Sequence, residues 1–348
     1  MSSPSPRHHR PAVDLSTRYL GLALDNPLIA SPSPLSHTLD GLRRLADGGV
    51  GAIVMHSLFE EQLREQMTRT AAVIDATSDS SAEALDYFPL TAATDLGPRP
   101  YLQLLERAAS TVGVPVIASL NCATTASWSE YARALQTAGA AAIELNIYFV
   151  PDDPLIGARE LEHRHVQIVE RVNDAVTIPV AVKLSPYFSA VAELAERLEQ
   201  AGADGLVLFN RFLLADIDPE QLTIVPRVTL SLPDDGRVPR FWIAALHGRV
   251  GISLAASGGV EVAADVAAYL LAGADVVMST SALLRHGPGY GSELLDGLRT
   301  WMRAKGFSSV RELRGQLARG QRDDDVLRTR AGYAAAMRAA NGGAYAPW

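Results

Sequence analysis

Residues 138–147 read AGAAAIELNI, and residues 178–186 read IPVAVKLSP. Each segment opens with a helix-ending residue, Gly139 or Pro179, and continues into a short apolar run. Gly just after a helix adopts the left-handed conformation at little steric cost, and Pro stops a helix but is tolerated at the first position of a strand. The runs are continuous rather than alternating, which is typical of parallel strands covered on both faces.

The same pattern recurs along the chain. Glycine turns at Gly48-Gly49, Gly202 and Gly273, and a second proline at Pro115, also precede apolar runs. Eight runs are predicted as strands: Leu28–Ser31, Ala52–His56, Val116–Leu120, Ala142–Ile147, Val180–Leu184, Leu206–Phe209, Ser253–Ala256 and Asp275–Ser279. Helical periodicity falls between them at Tyr101–Thr111, Ser127–Ala138, Ala190–Ala201 and Glu261–Leu271. This alternation predicts an α/β fold, and eight units favour a closed (β/α)8 TIM barrel over a doubly wound sheet.

Three regions are predicted. Residues 1–12 are polar, lack the apolar segment of a signal peptide and are expected to form a disordered N-terminal tail. Residues 13–305 would form the barrel, and residues 306–348 a C-terminal helical extension with helices at Val310–Arg319 and Asp325–Ala340.

Two connections are longer than a simple turn and helix require. They are Ser57–Pro100 after the second strand and Asn210–Val250 after the sixth. Because active sites of barrels are built from the loops that follow the strands, we expect both connections to contribute to a site.

Composition excludes several classes of function. A formal charge of -8 argues against binding to nucleic acid, and a single Cys excludes a disulfide framework or a cysteine metal cluster and fits a reducing cytoplasm. No window approaches ~18 consecutive apolar residues, so no membrane span is predicted. We therefore expect a cytoplasmic protein with a small-molecule ligand and no metal site.

Polar residues mark the carboxyl ends of the predicted strands, where barrel chemistry takes place. In strand order they are Ala30-Ser31, His56-Ser57, Asn121, Asn146, Lys183, Asn210, Ser257-Gly258-Gly259 and Ser279-Thr280. Lys183 interrupts an apolar strand, so it must be paired, for example with Glu144, or be functional, since an unpaired buried charge is costly. Three Asn side chains at one mouth suit the edge of a flat heteroaromatic ligand.

The last two strand ends resemble a phosphate site. Loops after the seventh and eighth strands of barrels often bind phosphate through backbone N–H groups. Gly258 and Gly259 would let the backbone approach an anion closely, and Thr280 would add a hydroxyl.

These segments together resemble the FMN-dependent dihydroorotate dehydrogenases, particularly the soluble class 1 enzymes, over about residues 14–318. The resemblance is carried by LSTRYLGLALDNPLIASP (15–32), IELNI (143–147), VAVKLSPYF (180–188), ASGGVEVAADVAAYLLAGADVVMSTSALL (256–284) and GPGYGSELLDGLRTWMRAKGFSSVREL (287–313). It implies a barrel enzyme of pyrimidine biosynthesis that oxidises or reduces a CH–CH bond by hydride transfer at flavin N5. Relatives of this class are dimers or assemble with an electron-transfer partner.

The resemblance also implies roles for individual residues. Lys183 would lie near the flavin pyrimidine ring and stabilise its charge on reduction, while Asn146 and Asn210 would contact flavin or substrate. The remaining flavin contacts would come from Ala30, Ser31, Ser57 and Asn121, and the phosphate contacts from Ser257, Gly258, Gly259, Ser279 and Thr280.

The chain departs from the family at the expected catalytic base. The family has a Cys or Ser in the loop after the fourth strand, where this chain has Phe149, and a Lys at the end of the second strand, where this chain has His56. Asp152, Tyr148 or His56 is therefore a candidate for proton transfer, and the substrate need not be dihydroorotate. Two alternatives stay open: a lyase or aldolase that forms a Schiff base on Lys183, and a non-catalytic FMN-binding subunit.

Overall fold

The computed structural model describes residues 13–60, 98–121, 125–147, 155–211, 215–226, 229–318, 331–335 and 337–338. The predicted N-terminal tail and most of the predicted helix at Asp325–Ala340 lie outside these ranges. The described parts of that helix, residues 331–335 and 337–338, are helical.

Eight parallel strands close into a barrel, as the alternation of apolar runs and helices predicts. The barrel strands are β1 (Leu28–Ala30), β2 (Ala52–Phe59), β3 (Val116–Asn121), β4 (Ala142–Asn146), β5 (Val180–Leu184), β6 (Gly205–Leu208), β7 (Ser253–Ser257) and β8 (Val276–Ser279). They pair in sequence order, and β8 closes the barrel by pairing with β1. The largest difference from the sequence prediction is β2, which runs three residues past His56.

Helices surround the barrel. They are α1 (Leu39–Asp47), α2 (Arg99–Thr111), α3 (Thr125–Thr137), α4 (Ala158–Asn173), α5 (Val191–Gln200), α6 (Arg237–Leu246), α7 (Ala263–Ala272), α8 (Ser281–His286), α9 (Tyr290–Lys305) and α10 (Val310–Leu313). The predicted glycine stops are confirmed; Gly273, for example, caps α7 with φ 116°. The predicted proline stops are wrong, because α4 ends at Asn173, well before Pro179. The carbonyl of Pro179 instead accepts the N–H of Ile143 and so begins the sheet.

The connection Asn210–Val250 is longer than a simple turn and helix, as predicted, because it contains an antiparallel hairpin of Ala215–Asp218 with Thr223–Pro226 before α6. The predicted helix Val310–Arg319 needs correction: in the described residues, which end there at Ala318, only the single turn of α10 is helical. There the chain turns at Gly315, with φ 75°, and the N–H of Gly315 bonds the carbonyl of Leu270 in α7.

The core has two layers because side chains alternate along each strand. One set faces the helices, and the other fills the barrel interior with small and branched residues, including Ala52, Ala142, Ala181 and Ala255. The hairpin of Thr17–Tyr19 with Leu22–Leu24 packs Tyr19 and Leu20 onto this interior layer. No helix in the described part of the chain combines the length and hydrophobicity that a bilayer crossing requires.

Candidate functional site

A cavity of about 550 Å³ opens at the carboxyl ends of the barrel strands. Its volume is within the range of small-molecule and cofactor sites. The barrel brings most of the residues predicted from the strand ends together in its wall: Ser31, His56, Ser57, Asn146, Lys183, Asn210, Ser257, Gly258, Ser279 and Thr280.

Other predicted residues are not among those that line the cavity. Ala30 points away from the barrel interior and belongs to the core that packs against the helices, because its neighbours Ile29 and Ser31 occupy the inward positions. Asn121 is buried at the end of β3. Gly259 packs against the backbone of Gly236. Tyr148 and Asp152 fall outside the described residues, as does the aligned position Phe149.

Two inward-facing polar residues, Asn146 on β4 and Lys183 on β5, form the floor of the cavity. On β4 the inward positions run Ala142, Glu144, Asn146, and on β5 they run Ala181, Lys183, with Asn146 directly opposite Lys183. Lys183 Nζ lies 3.4 Å from Glu144 Oε1 and 3.3 Å from Ser31 Oγ. Lys183 is therefore ion-paired with Glu144, as one of the two interpretations predicts, and it is also part of the cavity wall.

The Lys183–Glu144 pair is almost free of solvent, with side-chain exposures of 8% and 1%. Glu144 Oε2 has no hydrogen-bond partner within the described residues. Two buried charges are stable in such surroundings only when they compensate each other. The negative charge of Glu144 also contributes, after burial, to raising the pKa of Tyr19 and, as a smaller cause, that of Tyr101.

Two amides meet beside this pair. Asn210 Nδ2 donates to Asn146 Oδ1 over 2.6 Å. The bond leaves Asn146 Nδ2 as a donor and Asn210 Oδ1 as an acceptor, each outside this contact. A neighbouring donor and acceptor can recognise the edge of a planar ring that carries both kinds of group.

The ends of β7 and β8 form a small cradle. Gly258 has φ 101°, and a Cβ added there would meet no atom within 4 Å, so the backbone borders open space. The Ser279 hydroxyl is buried without a partner in the described part of the chain. Ser281 Oγ accepts the N–H of Ser231 and lies 2.9 Å from its hydroxyl. Glycine backbone and hydroxyl groups of this kind suit an anion such as phosphate.

His56 is not the titrating group that its ordinary pKa suggests. Burial, and then the neighbouring imidazole of His37, lower the pKa of His56 to about 4. Its Nδ1 lies 3.2 Å from the carbonyl oxygen of Ser36, and its ring contacts His37 and Tyr101 edge-on. His56 is therefore neutral near pH 7 and offers a polar, uncharged ring edge to the cavity.

The cavity wall also includes residues that the sequence did not single out. Arg211 lines it, with Nη2 2.9 Å from Thr229 Oγ1 and Nη1 3.4 Å from Asp235 Oδ2. The signal for Arg211 was its position directly after Asn210. Thr229 and Ser231 come from the irregular segment before α6 and carried no sequence signal, because their contacts are with residues distant in the chain.

Comparisons with known proteins agree with this architecture. The family model described as dihydroorotate dehydrogenase matches residues 14–302. The chain is 29% identical to dihydroorotate dehydrogenase B (NAD(+)), catalytic subunit, of Methanothermobacter thermautotrophicus over 86% of this chain and 97% of that protein. It is 27% identical to the protein of that name from Thermoplasma acidophilum, over 87% and 98%, and 31% identical to that from Listeria monocytogenes, over 63% and 71%. The chain belongs to the dihydroorotate dehydrogenase family of oxidoreductases.

Proposed function

We propose that this protein is an FMN-dependent oxidoreductase that acts on a CH–CH group, with a substrate other than, or in addition to, dihydroorotate. The observation that carries the proposal is the presence in one cavity of a buried, paired Lys183 and of the Gly258–Ser279 cradle. Both features suit a flavin with a phosphate tail, because a cation stabilises negative charge on the ring and neutral N–H and hydroxyl donors bind the phosphate.

The residues present fit FMN. The space beside Gly258 and the partnerless buried hydroxyl of Ser279 would receive the phosphate, together with Ser257, Gly259 and Thr280. Lys183, Asn146 and Asn210 would contact the ring, and Ser31, Ser57, Asn121 and the backbone of Ala30 would complete the site. When bound, FMN would supply the hydride acceptor of the reaction.

The chain itself provides electrostatics and orientation. Lys183 places a positive charge in a largely dry site, where it stabilises negative charge more strongly than it would in water. Glu144 and Ser31 fix the position of that ammonium group. The Asn146–Asn210 pair presents its remaining donor and acceptor in one fixed arrangement.

The proton-transfer residue is proposed from the segment after β4. Tyr148 and Asp152 follow Asn146 closely in the chain, and the segment contains neither Cys nor Ser up to Pro151. His56 is less suitable as a base, because a pKa of about 4 makes its imidazole a weak proton acceptor. A change of base is the reason to expect a substrate other than, or in addition to, dihydroorotate.

We further propose a cytoplasmic location and an assembly with an electron-transfer partner or as a homodimer. Support for the partner comes from the relatives, which are named as catalytic subunits. The single Cys is consistent with a reducing compartment.

The Schiff-base alternative has less support. A lysine nucleophile must be a neutral amine, usually desolvated without a counter-ion. Lys183 instead has a carboxylate 3.4 Å away. A non-catalytic FMN-binding subunit remains the other alternative.

The test uses the full chain. The purified protein should be yellow, release FMN on heating, and lose its flavin absorbance when an oxidisable substrate is added without oxygen; dihydroorotate is the first compound to try. Lys183→Met should slow reduction at least about 100-fold, as expected for loss of one preorganised charge. Lys305→Met, at the exposed end of α9, is the matched control and should behave as wild type.

Two results would contradict the proposal. One is a colourless protein whose apo form does not bind added FMN. The other is a flavin that photoreduces normally but is never reoxidised by any acceptor in a panel, which would favour the non-catalytic subunit.

A further inference from the structure

The cavity wall contains two cationic side chains although the protein as a whole is acidic. The formal net charge is -8, yet the described residues that line the cavity include Lys183 and Arg211 and no carboxylate. Fields inside a concave site are focused by its low-dielectric walls, so such a cavity attracts anions. The proposed function assigns Lys183 to the flavin ring, but it leaves Arg211 without a role.

Arg211 differs from Lys183 in being available to a ligand. Its side chain is 46% exposed, and its partner Asp235 is 50% exposed. Asp235 Oδ2 also accepts the N–H of Leu232 over 2.9 Å, so it is shared between two donors. An exposed ion pair of this length contributes little energy. The guanidinium group has five N–H donors in a planar fork that matches a carboxylate.

We propose that Arg211 is a specificity-determining residue that anchors a carboxylate group of the substrate. Arg211 directly follows Asn210, whose amide bonds Asn146 next to Lys183, so the cation belongs to the same wall as the ring-contacting groups. Lys183 is already paired with the buried Glu144, whereas the partner of Arg211 is half exposed. The inference rests on the proposed function for its location and deepens it by naming a residue that selects the substrate.

The test is calorimetric titration of the protein as purified, after saturation with FMN, with three carboxylates: acetate, succinate and orotate. Uracil, which has the ring of orotate without the carboxylate, is the comparison ligand. Wild type should give a saturable isotherm with at least one carboxylate. Arg211→Gln should weaken it about 10-fold or more, the effect of losing a charge-assisted hydrogen bond. Arg211→Lys should retain part of the affinity, and uracil binding should not change.

Arg237→Gln is the matched control. Arg237 pairs with Asp234 in the same segment, is 75% exposed and is not among the residues of the cavity wall. Its loss should leave every isotherm unchanged, which separates a local role from a general change of protein charge.

Three outcomes would overturn the inference. The first is that no carboxylate gives an isotherm, and the second is that wild type and Arg211→Gln bind the carboxylates equally well. The third is that Arg211→Gln loses affinity for FMN but not for riboflavin, which would assign the cation to the cofactor phosphate. Because calorimetry does not depend on flavin absorbance, a protein that binds no FMN but binds a carboxylate through Arg211 would contradict the proposed function alone.

Discussion

Lys183 and Glu144 show how two charged residues can lie inside a barrel. Each interrupts an otherwise apolar strand, and the two face inward on neighbouring strands, 3.4 Å apart. Burying either charge alone is costly, whereas the pair is tolerated because each charge compensates the other. This arrangement also keeps an ammonium group at the cavity wall.

The summed cost of the two single substitutions in this pair should therefore exceed the cost of the double substitution. Lys183→Met leaves a buried carboxylate without its cation, and Glu144→Leu leaves a buried ammonium; each should destabilise the fold by about 3 kcal/mol or more. The double variant removes both charges, and its loss should be at least about 1 kcal/mol smaller than the sum of the two. Urea unfolding gives the free energy of unfolding of wild type, the two single variants and the double variant. Strict additivity would show that the two charges do not interact.

Stability should fall in mild acid because His56 takes up a proton in the unfolded state before it does so in the folded state. The unfolded imidazole has its ordinary pKa of 6.5 and the folded one about 4, so the folded state binds its proton only at lower pH. The contribution of His56 is thus complete above pH 6.5 and is lost as the pH falls from 6.5 towards 4. The lowered pKa of His165 acts in the same direction.

His56→Gln isolates this contribution. Between pH 7 and pH 5, wild type should lose about 1 kcal/mol more unfolding free energy than the variant, a value reduced for the partial exposure of the ring. Urea unfolding at the two pH values gives the difference. Parallel pH dependences would mean that His56 titrates normally in the folded protein.

At the scale of elements, strands were predictable and loops were not. The apolar runs, the glycine stops and the inward spacing of Glu144, Asn146 and Lys183 follow from local periodicity, which a sequence shows directly. The segment of Thr229 and Ser231 does not, because Ser231 is positioned by Ser281, fifty residues along the chain. The helix α6 was not predicted because it contains Pro239, a residue that usually interrupts a helix.

The loop after β7 contains two neighbouring glycines, Gly258 and Gly259, whose replacement by Ala should have different effects. Gly259 has φ 66°, and a Cβ there would lie 2.4 Å from the backbone nitrogen of Gly236, so Gly259→Ala should cost at least about 2 kcal/mol. Gly258→Ala meets no neighbouring atom and should cost about 1–2 kcal/mol, from its positive φ alone.

The two variants should differ in ligand binding as well. The methyl group of Gly258→Ala would enter the cavity, so this variant should bind FMN at least about 10-fold more weakly, the penalty expected for crowding a close backbone contact. Equilibrium dialysis with FMN measures the affinity and urea unfolding the stability. Wild-type FMN affinity in Gly258→Ala would place the phosphate elsewhere.

The whole molecule separates stability and function between the two ends of the barrel. Strand carboxyl ends carry the cavity, whereas the N-terminal hairpin packs onto the interior layer, where Tyr19 is 1% exposed. The hairpin is also tied to the strands: Leu20 N–H donates to Ser253 Oγ, and Thr17 Oγ1 donates to the Asp275 carbonyl, both at the starts of strands β7 and β8. The hairpin therefore stabilises the fold without lining the cavity.

Tyr19→Ala tests that separation. Removing a ring buried against the barrel interior leaves a cavity and should cost about 3–5 kcal/mol. FMN affinity measured well below the melting temperature should stay within about twofold of wild type, because the ring is not among the residues that line the cavity. Tyr333→Ala, at a tyrosine that is 70% exposed, should change stability by about 0.5 kcal/mol or less. Urea unfolding and equilibrium dialysis with FMN provide the two readouts. A large loss of FMN affinity in Tyr19→Ala at a temperature where it is folded would show that the two ends are coupled through the interior layer, since the substitution touches none of the residues in the cavity wall.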